Sequence, residues 1–208
     1  MSKPTMIGNK RDSKMNLRFD PVRATNFNRT TEELELFLLF CVLVAGKNAT
    51  TTSLMLERLL KYGQKYAPNG TPFQIIKAID TSSDDLAETM RGIGFGCFNI
   101  KSKSLRYLVR CGLNLNTCTA DQLEGLHGIG MKTSRYFILH SRRNAQVACL
   151  DTHLRRWLSE KGYDVPKTLT RKKYLELEKA FLKIAKTKNI SPCDLDLQLW
   201  NKSRGSDV

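Results

Sequence analysis

The chain has 208 residues, 41% of them hydrophobic, enough for one sizeable core or two small lobes and too many for a disordered chain. Lysine and arginine outnumber aspartate and glutamate 34 to 20, and the net charge of +14 favours a polyanionic partner, nucleic acid first. No apolar run approaches the roughly 20 residues of a membrane span, and the stretch from Leu34 to Ala45 is too short and too interior for a signal peptide, so the sequence predicts a soluble intracellular protein of cytoplasm or nucleoid.

Residues 1–30 are polar, basic and short of apolar periodicity, which predicts a partly flexible arm ahead of a helical domain over 31–208. Thr31 followed by Glu32 and Glu33 reads as a helix start, and ELELFLLFCVLVA is apolar on nearly every face, the pattern of a central buried helix. GKNATTTS is a loop or helix start, LMLERLLKYGQKY returns to helical spacing, and APNGTP breaks it before a helix over Phe73 to Ile79. TSSDDLAETMRGIG offers N-caps at Ser82 or Ser83, and GFGCFN reads as a loop before the amphipathic KSKSLRYLVRCG. Thr119 caps ADQLEGL, a glycine hairpin follows, and the next helix is expected from Thr133 to Arg143. Asp151 can cap THLRRWLSEKG, whose Leu154, Trp157 and Leu158 share a face, and TRKKYLELEKAFLKIAKT is a long helix with a basic exposed side. Nearly everything is helical. LDLQLW near the end alternates with period two and looks strand-like.

The six cysteines, Cys41, Cys97, Cys111, Cys118, Cys149 and Cys193, are scattered singly, with no CxxC and no quartet for zinc or an iron-sulfur cluster. They read as free thiols, several of them small buried hydrophobes, as in FLLFCVLV and QVACLD.

The most informative segment is Leu126-His127-Gly128-Ile129-Gly130-Met131-Lys132. Glycines two apart between helices permit positive φ and let backbone NH groups approach a phosphate, and the positive end of the next helix adds to that attraction. Such a hairpin grips backbone and reads no sequence, although tight turns between helices use the same residues. From Met131 to Lys173 there are eleven Lys/Arg against three Asp/Glu, so the basic excess is concentrated beside it.

These residues resemble the helix-hairpin-helix DNA glycosylase superfamily, whose hairpin reads LxGhGxK with h apolar; the unit here spans about residues 119–143. VACLDTHLRRWL resembles that family's apolar-D-x-H segment, and Lys132 and Asp151, nineteen residues apart, look like its catalytic lysine and aspartate. The absence of four clustered cysteines after Asp151 points away from the iron-sulfur branches. Within the cluster-free branches the resemblance is to the archaeal-type 8-oxoguanine DNA glycosylase/AP lyases, carried by Gly128 to Lys132, by FGCFNIKSKSLRYLV and by the terminal DLDLQLWNKSRG, which is helical in such enzymes.

The resemblance implies an all-α, two-lobed fold without iron-sulfur cluster, and a bifunctional glycosylase/AP lyase of base excision repair acting as a monomer on duplex DNA that holds a damaged base. Lys132 would attack C1′ to give a Schiff base whose β-elimination nicks the strand 3′ to the lesion, and ionised Asp151 would stabilise the positive charge that develops on the sugar. A free lysine with pKa near 10.4 must be activated for this, by the helix end and by desolvation under bound substrate. His127, Gly128, Gly130 and Thr133 fall at the phosphate contact. Asn48 falls where the family places a residue that fills the gap left by the base, and Phe98 is a candidate wedge. Trp200 would stack on the extruded base and Asp196 hydrogen-bond it, while His153 orients Asp151 or packs locally. No metal or organic cofactor is expected for the chemistry, apart from a structural monovalent cation at the hairpin. One departure concerns base identity: the archaeal-type enzymes end in a lysine whose carboxylate contributes to base recognition, and this chain reads Arg204-Gly205-Ser206-Asp207-Val208. The same chemistry on another modified base, and a non-catalytic DNA-binding module, are the alternatives to be separated from this reading.

Overall fold

The computed structural model of the chain describes residues 17–203, so most of the expected N-terminal arm and the last five residues lie outside the described part. Among the described residues every regular element is helical: a 3-10 turn at Pro21–Arg23, then α1 (Thr31–Leu43), α2 (Ala49–Gly63), α3 (Pro72–Thr81), α4 (Leu86–Ile93), α5 (Phe98–Leu108), α6 (Ala120–Glu124), α7 (Met131–Ser141), α8 (Thr152–Glu160), α9 (Arg171–Thr187) and α10 (Pro192–Ser203).

Local chemistry explains most of these boundaries. Thr30, Thr71 and Thr119 each form a reciprocal capping box with the Glu or Gln three residues on, while Asn48, Asp85, Asp151 and Thr170 cap α2, α4, α8 and α9 through their side chains. Ser191 accepts from the Asp194 N–H at the head of α10. The expected caps at Ser82 or Ser83 are therefore corrected to Asp85, which accepts from two backbone N–H groups, of Ala87 and Glu88. The cap of α1 is Thr30, one residue before the expected start, because Glu33 closes the box with it. The strand-like LDLQLW is part of α10.

Two helices, α5 and α7, start without a side-chain cap. Both begin earlier than the sequence suggests, α5 at Phe98 inside the expected loop and α7 at Met131 rather than Thr133.

The centre of the molecule is α1, in which Leu34 and every residue from Leu36 to Leu43 is buried; α2, α3, α5 and α7 pack around it. Lys101 of α5 is itself buried, and its Nζ donates to the Leu43 carbonyl at 2.6 Å, satisfying the open C-terminal end of α1. A second, smaller core joins α8, α9 and α10 through Leu154, Leu158, Tyr174, Leu177, Phe181 and Leu195. The segment Ala148-Cys149-Leu150 belongs to both, with Cys149 in the large core and its two neighbours in the small one. Asp151 follows directly, so the start of α8 is fixed at the seam between the two cores.

Candidate active site

The hairpin is anchored from below. Leu126 and Ile129 pack into the large core, the Leu126 and Ile129 N–H groups bond to the carbonyls of Leu123 and Leu126, and Gly128 turns the chain with φ +79°. A Cβ on Gly128 would lie 1.9 Å from Ser104 Oγ, so α5 backs the turn and glycine is obligatory for space as well as for φ. Gly130 differs. Its backbone is extended (φ −93°, ψ 175°), and nothing lies within 4 Å of where a Cβ would be. The uncapped α7 begins there, its first-turn N–H groups left to solvent or a ligand. Lys132 is the second residue of this helix and is exposed, in contrast to the buried and tethered Lys101.

A buried ionic lattice sets this helix against the start of α8. Arg135 bonds Glu124 of α6 and, at 2.8 Å, Glu178 of α9; Arg171 bonds Glu124 from the other side. Burial alone would lower the Arg135 pKa, but the bonds and charges of Glu124 and Glu178 more than reverse this and raise it. The same Glu178 Oε1 accepts the Ala148 N–H at 2.8 Å. The Tyr174 hydroxyl donates to the Ala148 carbonyl at 2.8 Å and accepts the Leu150 N–H at 3.0 Å. One helix, α9, thus clamps both α7 just beyond Lys132 and the strand of chain that ends at Asp151. None of these partners was apparent from the sequence, since they lie up to 47 residues apart.

Asp151 caps α8 with Oδ1, accepting the Leu154 N–H at 2.8 Å, which leaves Oδ2 outside the cap. It lines a cleft of about 10 Å³ with His153, Leu154, Asp196, Leu199 and Trp200, room for about one water. His153 meets the Trp200 ring edge-on at 5.1 Å, and Trp200 is 41% exposed. Leu195 and Leu199, on the same helix, pack into the small core. Burial pushes the Cys149 thiol pKa well up, Asp196 and Asp151 push it further, and Lys132 opposes them. Cys149, two residues before Asp151, donates through Sγ to the Lys132 carbonyl at 3.7 Å, so the backbone at Lys132 lies beside the start of α8. A larger groove of about 460 Å³, lined by Arg143, Lys183 and Lys186 among others, contains none of the predicted residues.

The remaining predicted residues are dispersed around this centre. His127 is exposed on the hairpin with its ring 5.4 Å from Tyr107, and Thr133 is half-buried in the first turn of α7. Asn48 is exposed but is engaged as the cap of α2, accepting the Thr51 N–H. Phe98 is half-buried against the large core; the apolar side chain beside it that faces solvent is Ile100, 65% exposed. The cysteines are all free, four of them buried, Cys111 half-buried and Cys97 exposed at the head of α5. Among the described residues no group of three or more His, Cys, Asp or Glu side chains could hold a metal ion. A cation at the hairpin would have to be held by backbone oxygens, one of which, on Leu126, already accepts the Ile129 N–H.

The model of the 8-oxoguanine DNA glycosylase family matches residues 114–190, which include the hairpin, Lys132, Asp151 and the clamp on α9. An 8-oxoguanine DNA glycosylase/AP lyase of Thermoplasma volcanium is 27% identical over 87% of this chain and 90% of its own length. The crystal structure of the Methanocaldococcus jannaschii 8-oxoguanine DNA glycosylase superposes with a TM-score of 0.66 at 24% identity, covering 88% of this chain and 84% of that one. The same organism's 8-oxoguanine glycosylase/lyase, in complex with 15mer DNA containing 8-oxoguanine, gives a TM-score of 0.63 at 25% identity, covering 88% and 87%. In sequence and in fold the chain is thus similar to the archaeal-type 8-oxoguanine DNA glycosylases.

Proposed function

We propose that the protein is a bifunctional DNA glycosylase/AP lyase that removes 8-oxoguanine from duplex DNA and cleaves the strand 3′ to the abasic site. The observation that carries the mechanism is that the backbone at Lys132 is tied by Cys149 to the segment leading into Asp151, which shares a cleft with Asp196, beside an uncapped helix start suited to a backbone phosphate. The relatives' names carry the choice of base.

With the flipped nucleotide in the cleft, Lys132 Nζ attacks C1′ as the N-glycosidic bond breaks and the base leaves with its bonding pair and a proton. Asp151 Oδ2 faces the positive charge spreading over C1′ and the ring oxygen, and lowers the barrier most where that charge is largest. Opening of the sugar ring gives the Schiff base to Lys132. Loss of a C2′ proton then expels the 3′ phosphate, and hydrolysis of the imine frees the lysine. Asp196 accepts hydrogen bonds from the base and Trp200 replaces the stacking lost on flipping. Lysine and aspartate suffice for these steps without a metal or organic cofactor, and a monomer suffices to clasp the duplex. No helix among the described residues is long and apolar enough to cross a membrane, and an intracellular site, where DNA is, completes the reading.

Free base and strand nicks should be measured in parallel on an 8-oxoguanine duplex. The wild type is expected to produce both, Lys132→Gln neither, and Asp151→Asn to release base at least about a hundredfold more slowly. Nicking at the wild-type rate by Lys132→Gln would overturn the mechanism. Cleavage of a pre-formed abasic site without release of 8-oxoguanine would assign another base, and DNA binding with neither product would mark a non-catalytic module.

A further inference from the structure

His140 lies on α7, eight residues beyond Lys132, with its side chain only 3% exposed. Its Nδ1 is 2.8 Å from Thr25 Oγ1, with Cys193 Sγ at 3.6 Å. Its Nε2 faces Asp196 Oδ2 at 3.5 Å but forms no hydrogen bond to it, nor to any other group among the described residues. Around the ring stand Asp196 and Cys193 from α10, Tyr136 from its own helix at 4.5 Å and Thr25 from the leading segment, while Arg29 bonds the His140 backbone carbonyl. Among the described residues, Asp196 is the one acidic group facing Nε2.

Because a carboxylate only accepts, the proton belongs on Nε2, and the Thr25 hydroxyl then donates to Nδ1. A buried N–H without a partner is unfavourable, and the gap to Asp196 exceeds an ordinary N–H···O distance by roughly half an ångström. Asp196 also lines the cleft with Asp151 and Trp200. We propose that His140 is a positioning residue for base recognition: when a base fills the cleft, Nε2–H bonds Asp196, fixes its rotamer and keeps it an acceptor for the base's N–H groups. This rests on the reading of Asp196 as the base contact. Thr25 supports it by selecting the tautomer.

Two reactions separate this role from a structural one: single-turnover release of 8-oxoguanine, and borohydride trapping on a pre-formed abasic site, which has no base to position. His140→Phe keeps the ring volume and removes the donor. It is expected to slow base release roughly ten- to hundredfold and to change abasic-site trapping by less than about threefold. His140→Gln, which retains an N–H donor, should recover most of the loss, and in an Asp196→Asn background His140→Phe should add nothing further. Equal losses in both reactions, no loss in either, or full additivity with Asp196→Asn would overturn the proposal. A wild type that releases no 8-oxoguanine would remove the reading beneath it, and the inference with it.

Discussion

Gly128 and Gly130 look alike in the sequence and do different work. A side chain at Gly128 meets Ser104 Oγ at 1.9 Å and Ser104 Cβ at 2.9 Å, in a backbone conformation with φ +79°. A side chain at Gly130 meets no protein atom within 4 Å, so what it would obstruct is the approach of a ligand to the start of α7. Gly128→Ala should therefore lower folding stability by roughly 1–3 kcal/mol. Gly130→Ala should cost less than about 1 kcal/mol, the scale of a glycine cap replaced by alanine, while weakening binding to a duplex. Thermal melts and fluorescence anisotropy on the two variants check this, and the reverse ranking in stability would contradict it. Lys132 and Asp151 were legible as candidates because their types and their spacing stand out beside the hairpin. His140 was not, since a histidine in FILHS is indistinguishable from any core side chain until the fold brings Thr25 and Asp196 to its two nitrogens.

At the scale of elements, the clamp on α9 holds the site together. Glu178→Ala removes one of the two carboxylates on buried Arg135 and leaves the Ala148 N–H without its acceptor. Loss of about 3 kcal/mol is expected, at the lower end for a broken buried pair because Glu124 remains. Urea denaturation measures it, and a loss under 1 kcal/mol would show that the clamp is not needed for the fold. A second tie joins α2 to the head of α4. Hydrogen bonds from Tyr62, Tyr66 and Lys65 lower the Asp84 pKa to about 2. A depressed carboxylate pKa adds stability that is complete above the unfolded value near 3.9 and is lost as pH falls toward 2. Replacing both tyrosines with phenylalanine should move the Asp84 titration seen by NMR upward, and an unmoved midpoint would remove the tie. The caps Thr119 and Asp151 could be read directly because each precedes an apolar helical pattern. Asp85 was hidden in TSSDD, where five adjacent side chains can cap, and the start of α5 was invisible because Cys97 sits at φ 55° and makes no side-chain cap. In LDLQLW, Leu195 and Leu199 lie one turn apart on the face toward the small core, so a period-two spelling and a helical face coincide.

The molecule as a whole is two cores meeting along Ala148-Cys149-Leu150, with the cleft of Asp151, Asp196 and Trp200 beside that seam and a net charge of +14 that favours a polyanionic partner. The cleft of about 10 Å³ is far smaller than a purine, so Trp200 and His153, whose rings meet at 5.1 Å, would have to part for the proposed base to enter. Much of this plan is carried by composition and periodicity, from the buried central α1 to the basic α9; the closure of the cleft is not, because it depends on where α10 lands against α8. The most direct test of the account is borohydride trapping of the wild type and Lys132→Gln on duplexes holding 8-oxoguanine, undamaged guanine or a pre-formed abasic site. A covalent adduct is expected on the first and third duplexes only, lost in Lys132→Gln on both. An adduct of undiminished yield in Lys132→Gln would contradict it.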